Sequence, residues 1–270
     1  REKAAAAAET PAPMLRAAVE QRAVLTSLKA QASMRILDRK GNFSLSVAAY
    51  LAARKPDKLR IQATKAAGQF AVFDAVLTGE DVGCYVPSDK TFYQGKIRDL
   101  DRVNLNFHPS EILDLLLRPE TSLLLRSWRF AGVERAMEGG EEKQVAVLEE
   151  TRAIEGGRRI GIDRTRLDLL WVEYRDAAGH PVFVKRYDRW QTLPAADDAT
   201  PSHEVFPYRM RLEWPKDERS IEIHFRRIDP DSLVADEDLA MDVPESVATK
   251  NIRDIRVAGD KAAAGTPEGA

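Results

Sequence analysis

The sequence contains one cysteine, Cys84, so no disulfide can close within the chain. Cys84 sits in an alternating apolar run with Val82 and Val86 and has no basic neighbour to favour a thiolate. That context predicts a buried, unreactive thiol. Histidine is equally scarce. His108, His180, His203 and His224 are scattered, and none stands three or four residues from another or from Cys84. No zinc-type ligand spacing therefore exists. The glycine pairs Gly139-Gly140 and Gly156-Gly157 fall between predicted strands and not ahead of a helix. They read as turns, not phosphate-binding loops. No strand-turn-helix nucleophile elbow occurs, and no run approaches the ~18 apolar residues of a membrane-spanning helix. Charge of one sign is not in excess either. Against 41 Lys and Arg stand 43 Asp and Glu, a net charge of -2, where a general nucleic-acid binder shows a strong basic surplus. These absences leave no catalytic residue, metal or cofactor to assign.

What is present is an ordinary globular composition, 44% hydrophobic and 31% charged. Residues 1–13 are alanine-rich and carry Pro11 and Pro13, which predicts a flexible leader. The start at Arg1 fits either a truncated cytosolic protein or an exported one whose leader has been removed. Met14, Leu15, Ala18, Val19, Leu25 and Leu28 then fall at helical spacing. From Ala30 the apolar period changes to two. Met34 and Ile36, then Phe43 to Leu51, Leu59 to Ala63, Phe70 to Leu77, Val82 to Val86 and Thr91 to Gln94 predict six strands joined by short turns, an antiparallel meander. Asp74 interrupts one of these strands and predicts an exposed or paired charge.

A leucine-rich insert follows. Pro109-Ser110-Glu111 opens a helix over Ile112, Leu113, Leu115, Leu116 and Leu117, and Pro119 ends it. Leu123 to Leu125, Trp128 and Phe130 continue the most apolar stretch of the chain. The insert reads either as a core helix or as a lid over an apolar cavity. A second meander is predicted from Val145-Val147, Arg158 to Asp163, Leu167 to Tyr174, Val182 to Trp190, Phe206 to Trp214 and Ile221 to Ile228. Asp229, Asp231, Asp236 and Asp238 lack the glycine and terminal glutamate of a calcium loop, so they predict a solvated acidic segment. The organisation expected is one domain over 14–249 and a disordered tail over 250–270. Arg209 and Arg211, two apart on one strand, share a face opposite Tyr208, Met210 and Leu212. They read as a solvated outer face or as a contact for anionic headgroups.

The order of helix, six-strand meander, helical insert and second meander resembles the LolA/LolB-like family of bacterial lipoprotein carriers and outer-membrane lipoproteins. Three stretches carry the resemblance: Leu25-Thr26-Ser27-Leu28-Lys29-Ala30, then Ala53-Arg54-Lys55-Pro56-Asp57-Lys58-Leu59-Arg60-Ile61, then Val86-Pro87-Ser88-Asp89-Lys90-Thr91-Phe92-Tyr93-Gln94-Gly95. The second is similar to the family's "kPdklRi" strand and the third to its "P-x-x-x-x-yy-G" hairpin. The resemblance spans Met14 to Pro244. It implies a mainly β fold, an antiparallel curved sheet (half-barrel) with helices packed over its concave face. It also implies a non-catalytic protein of the periplasmic side of the envelope, anchored by lipid to the outer membrane. Its partners would be lipid or lipoprotein acyl chains and a membrane surface, with no cofactor and no nucleic acid.

Under this reading Phe43, Leu45, Val47, Leu59, Ile61 and Val72 line an apolar groove, and Leu113, Leu116 and Leu117 form the lid face, at i, i+3 and i+4. A buried methylene contributes ~0.8 kcal/mol, so an acyl chain needs a dry apolar groove and no polar machinery. The alternative is an envelope scaffold whose core is filled and which carries no cargo. Two departures from the family stand out. The soluble carrier latches its lid with an arginine just before the strand's proline. Here Lys55 precedes Pro56 and Arg54 is one earlier, which turns the arginine to the other face. The receptor's protruding loop bears a leucine, and the corresponding turn, Lys65-Ala66-Ala67-Gly68, has none.

Overall fold

The computed structural model describes residues 11–20, 22, 24–38, 43–65, 70–102, 109–117, 120–138, 140–151, 156–194 and 205–255. The leader up to position 10, the tail from 256, the turn at 40–42, His108, His203 and Pro119 lie outside the described residues. Two of the sequence boundaries fall inside regular structure. Helix α1 already runs over Pro11–Glu20, and strand β14 occupies Ala248–Asn251, followed by a 3-10 turn in which Ile252 is buried.

Among the described residues fourteen strands are hydrogen-bonded in one open sheet, in the order β14-β6-β5-β4-β3-β2-β1-β13-β12-β11-β10-β9-β8-β7. The first six are β1 (Ser27–Asp38), β2 (Phe43–Arg54), β3 (Lys58–Lys65), β4 (Phe70–Thr78), β5 (Asp81–Val86) and β6 (Thr91–Lys96). The rest are β7 (Trp128–Glu138), β8 (Glu141–Glu150), β9 (Arg158–Asp163), β10 (Leu169–Arg175), β11 (Pro181–Thr192), β12 (Val205–Trp214), β13 (Arg219–Pro230) and β14. Neighbours within each meander pair antiparallel, as the turn chemistry predicts. The exception is β14, which lies parallel on β6.

The chain divides into two compact units. One comprises Arg1–Leu25, Arg118–Lys216 and Glu222–Phe225, the other Thr26–Leu117, Asp217–Ile221 and Arg226–Ala270. In the second unit the period-two pattern decides the face. Leu28, Ala30, Ala32, Met34 and Ile36 of β1 are buried, while Gln31 and Arg35 between them are exposed. The register sets Ala30 opposite Leu51, Met34 opposite Val47, Leu51 opposite Ile61 and Leu59 opposite Leu77, one continuous apolar face over four strands. Helix α2 (Pro109–Leu117) packs on that face against β1, β2 and β3. In the first unit α1 packs on β7, β9 and the 3-10 turn Thr121–Leu125.

Two sequence expectations are corrected. The helical spacing predicted through Leu28 ends at Glu20, because Leu28 belongs to β1. Its position satisfies both periods, i+3 from Leu25 and two before Ala30, and sheet pairing wins. The apolar stretch around Trp128 and Phe130 is strand β7. A bulge between Phe130 and Gly132 breaks its alternation, and as the last strand of the sheet it leaves Val133 and Met137 exposed.

Candidate functional site

The residues expected to line a groove fall largely on the apolar face beneath α2. Val47, Leu59 and Ile61 are buried there, and Leu45 is half-buried opposite Ile36. Leu113, Leu116 and Leu117 of α2 are all buried, and so are Ile112 and Leu115. The helix therefore has no broad solvent face among its described side chains, as expected of a segment pressed into a cleft. Phe43 lies in β2, but its side chain is outside the described residues. Val72 lies on β4. It is the extra residue of a β-bulge, where β4 passes from Ala63↔Phe73 to Thr64↔Ala71, and it is half-buried. Cys84, opposite Ala75 and Tyr93, is partly covered. Burial, with a smaller contribution from Asp74, pushes its thiol pKa up to about 12 and so disfavours the thiolate.

The opposite face of the same strands is polar and has an occupant. After β13 the chain crosses it as residues 231–242, with one helical turn, α3 (Asp236–Leu239). Val234 and Leu239 pack with Ala52 and Tyr50. Arg54 donates through Nη1 to the Val234 carbonyl at 2.5 Å and through Nη2 to Asp236. Lys58 reaches Asp236 at 3.1 Å, and Lys29 reaches Asp238 at 2.8 Å. Arg60 donates to the Asp238 carbonyl and forms a bidentate pair with Asp74, at 3.1 and 2.7 Å. Thr26 donates through its amide and hydroxyl to Asp231, both at 2.7 Å. The acidic segment expected to be solvated is thus tied to the sheet. Arg54 does turn away from α2, as its position one residue early requires, and it holds this strap instead. Beside the strap lies a cleft of about 730 Å³, lined among others by Tyr50, Arg60, Asp74, Tyr85, Arg226 and Asp242.

In the other unit a buried charge cluster brings together Arg22, Glu120 and Lys185, none of them a site residue expected from the sequence. Glu120 is buried and accepts hydrogen bonds from Lys185 at 2.9 Å and from the Tyr187 hydroxyl at 2.7 Å. The buried Arg22 lies over the rings of Tyr187 and Phe206, at 5.2 and 5.6 Å. A signal for it was available, because Lys185 shares its strand parity with Tyr187 and points to the covered side. Arg209 and Arg211 do share a face, and each has a carboxylate partner. Arg209 pairs with Glu222, and Arg211 with Glu213 at 3.1 Å. Among the described residues no group of three His, Cys, Asp or Glu could hold a metal ion, and no helix is long and apolar enough to cross a membrane.

No family model and no curated protein matches this sequence. Solved structures do. A DUF1329 family protein from Desulfovibrio piger is 14% identical, with a TM-score of 0.55 over 84% of this chain and 96% of that one. A protein from Vibrio parahaemolyticus, described as an outer membrane lipoprotein-sorting protein domain, is 11% identical, with a TM-score of 0.51 over 86% and 97%. A LolA superfamily protein from Nitrosomonas europaea is 13% identical, with a TM-score of 0.49 over 85% and 96%. The fold of this chain, one open antiparallel sheet, is thus similar to that of the DUF1329 and lipoprotein-sorting structures, in line with the resemblance read from the sequence.

Proposed function

We propose that this chain is a non-catalytic protein of the bacterial cell envelope that holds a lipid or lipoprotein acyl chain against the apolar face of β1–β4. In the empty protein α2 fills that place. The reading treats residues 14–249 as one working domain, anchored by lipid on the periplasmic side of the outer membrane. The observation that carries it is the position of α2: a helix buried through five apolar side chains lies on a sheet face built from Val47, Leu51, Leu59 and Ile61. Such a helix covers an acyl-sized apolar strip and can be exchanged for a chain of equal apolar area, at ~0.8 kcal/mol per methylene. The shared fold with a lipoprotein-sorting structure supports the same reading. Phe43, Leu45, Val47, Leu59, Ile61 and Val72 would line the chain, with Leu113, Leu116 and Leu117 as the displaceable face.

Native mass spectrometry of protein purified from an envelope fraction tests this. The expected result is a lipid-sized adduct that delipidation removes. Protein from the same fraction that flies without adduct, and accepts none on incubation, would contradict it. The second reading, a cargo-free scaffold, is favoured by the near-complete burial of Leu51, Leu59, Ile61 and Leu116 together, at 0 to 1% exposure. Arg209 and Arg211 remain proposed as a weak contact for anionic headgroups, because their pairs are partly open to solvent. Changing both to glutamine should reduce binding to anionic vesicles a fewfold at low salt. Unchanged binding would remove them from the surface.

A further inference from the structure

The polar face of β1–β3 presents a problem in electrostatics that the strap resolves. Arg54 of β2 is directly opposite Lys58 of β3, and Ala52 of β2 lies between Lys29 of β1 and Arg60 of β3. Like charges placed directly across a ladder repel. Four cations are thus gathered around one small residue on a single face, and Asp74 balances one of them. The counter-charge for the other three comes from a segment about 180 to 210 residues away along the chain, through Asp236 and Asp238.

We propose that this basic face is an anion-binding site for the surface of an anionic membrane, and that residues 231–242 are its intramolecular occupant. The part of the strap open to exchange is its centre, around Asp236. Val234 and Leu239 are buried, and the Thr26–Asp231 and Lys29–Asp238 contacts hold the segment on either side. Its key carboxylate is exposed, with the Asp236 side chain 78% accessible against 31% and 30% for Arg54 and Lys58. Ion pairs of that exposure are weak and salt-sensitive, so an array of lipid phosphates competes with them. A membrane is favoured over a soluble anion by Leu233, 85% exposed and adjacent to the carbonyl that Arg54 holds. Lifting the strap frees Arg54 and Lys58 on the sheet and leaves Leu233 on the released segment, so charge and apolar contact can meet an interface together. The proposal is independent of whether α2 yields to an acyl chain.

The test is cosedimentation of the full chain with vesicles of phosphatidylcholine alone or mixed with phosphatidylglycerol, at low salt and at about 0.15 M. Asp236→Asn removes the carboxylate that neutralises Arg54 and Lys58. Because the side chain is exposed, the fold should survive, and near-UV circular dichroism checks it. Asp238→Asn, which frees Lys29, is a parallel route to the same release. Either variant should bind phosphatidylglycerol vesicles at least about fivefold better than the parent, as expected for one freed basic charge at an anionic surface. The gain should shrink at the higher salt and vanish in Asp236→Asn combined with Arg54→Gln and Lys58→Gln. No gain in either variant, a gain that survives loss of the two bases, or an equal gain on neutral vesicles would each overturn the proposal. So would saturable binding of inorganic phosphate by the variants without any gain on vesicles.

Discussion

Lys185 sits at a covered position of β11 and donates to the buried Glu120 carboxylate at 2.9 Å. Burial alone would raise the Glu120 carboxyl. Lys185, the hydrogen bonds from Lys185 and Tyr187, and Arg22 outweigh that effect and hold its pKa below the ordinary glutamate value. Burial first, and then Glu120, pushes the Tyr187 hydroxyl well above its usual value, so the phenol stays a donor. Removing one partner of a buried pair leaves the other uncompensated. Glu120→Leu should therefore cost about 3–5 kcal/mol in chemical denaturation, and Glu120→Leu with Lys185→Met should recover most of it. The pH dependence has a definite sign. A carboxylate with a depressed folded pKa stabilises the fold above its unfolded value of about 4.3, and that contribution is lost as pH falls through the lower folded value. The gap in thermal midpoint between parent and Glu120→Leu should be full at neutral pH and should narrow below about pH 4. A constant gap from neutral to acid would contradict the charged cluster.

At the scale of elements, the strands with clean alternation were readable and the others were not. β1, β2 and β3 have one buried face and one polar face, so their period of two survives in the sequence. β7 is exposed on much of its length and bulged, so nothing imposes a period on it. β14 is only four residues long, all exposed, and its parallel pairing with β6 leaves no local trace. Helix α2 was legible because leucine repeats between two prolines, but the burial of Ile112 and Leu115 beside the Leu113-Leu116-Leu117 face depends on packing that no local pattern encodes. Gly161 shows a limit of another kind. A glycine has no side chain to pack within a strand, yet this one lies opposite Trp171, and a Cβ there would come 2.2 Å from the indole ring. The glycine is a receptacle for the ring. Gly161→Ala should cost about 1–3 kcal/mol by overpacking, measured by denaturation, and Trp171→Leu in the same background should relieve part of it.

For the molecule as a whole, what could be read was whatever a single strand or helix imprints on its own residues: two meanders, an insert, an apolar face. What could not be read was made by contacts between distant segments. The acidic strap looked solvated because its partners, Lys29, Arg54 and Lys58, lie about 180 to 210 positions away and look like ordinary outward charges. Asp74 in an apolar strand likewise needed Arg60 beside it to make sense. The groove residues were legible as a face, but whether cargo or helix fills that face is a competition between two apolar occupants, which composition does not encode.

That competition is the central claim, and one comparison tests it: a denaturation midpoint and a fluorescent acyl-probe titration on the parent and on Leu116→Ala with Leu117→Ala. Both leucines are buried, so the empty protein should lose about 2–5 kcal/mol for each. If α2 and the acyl chain contend for one face, weakening the helix should leave probe affinity unchanged or raise it. Loss of stability with no saturable probe binding in either protein would contradict the carrier reading and leave the scaffold.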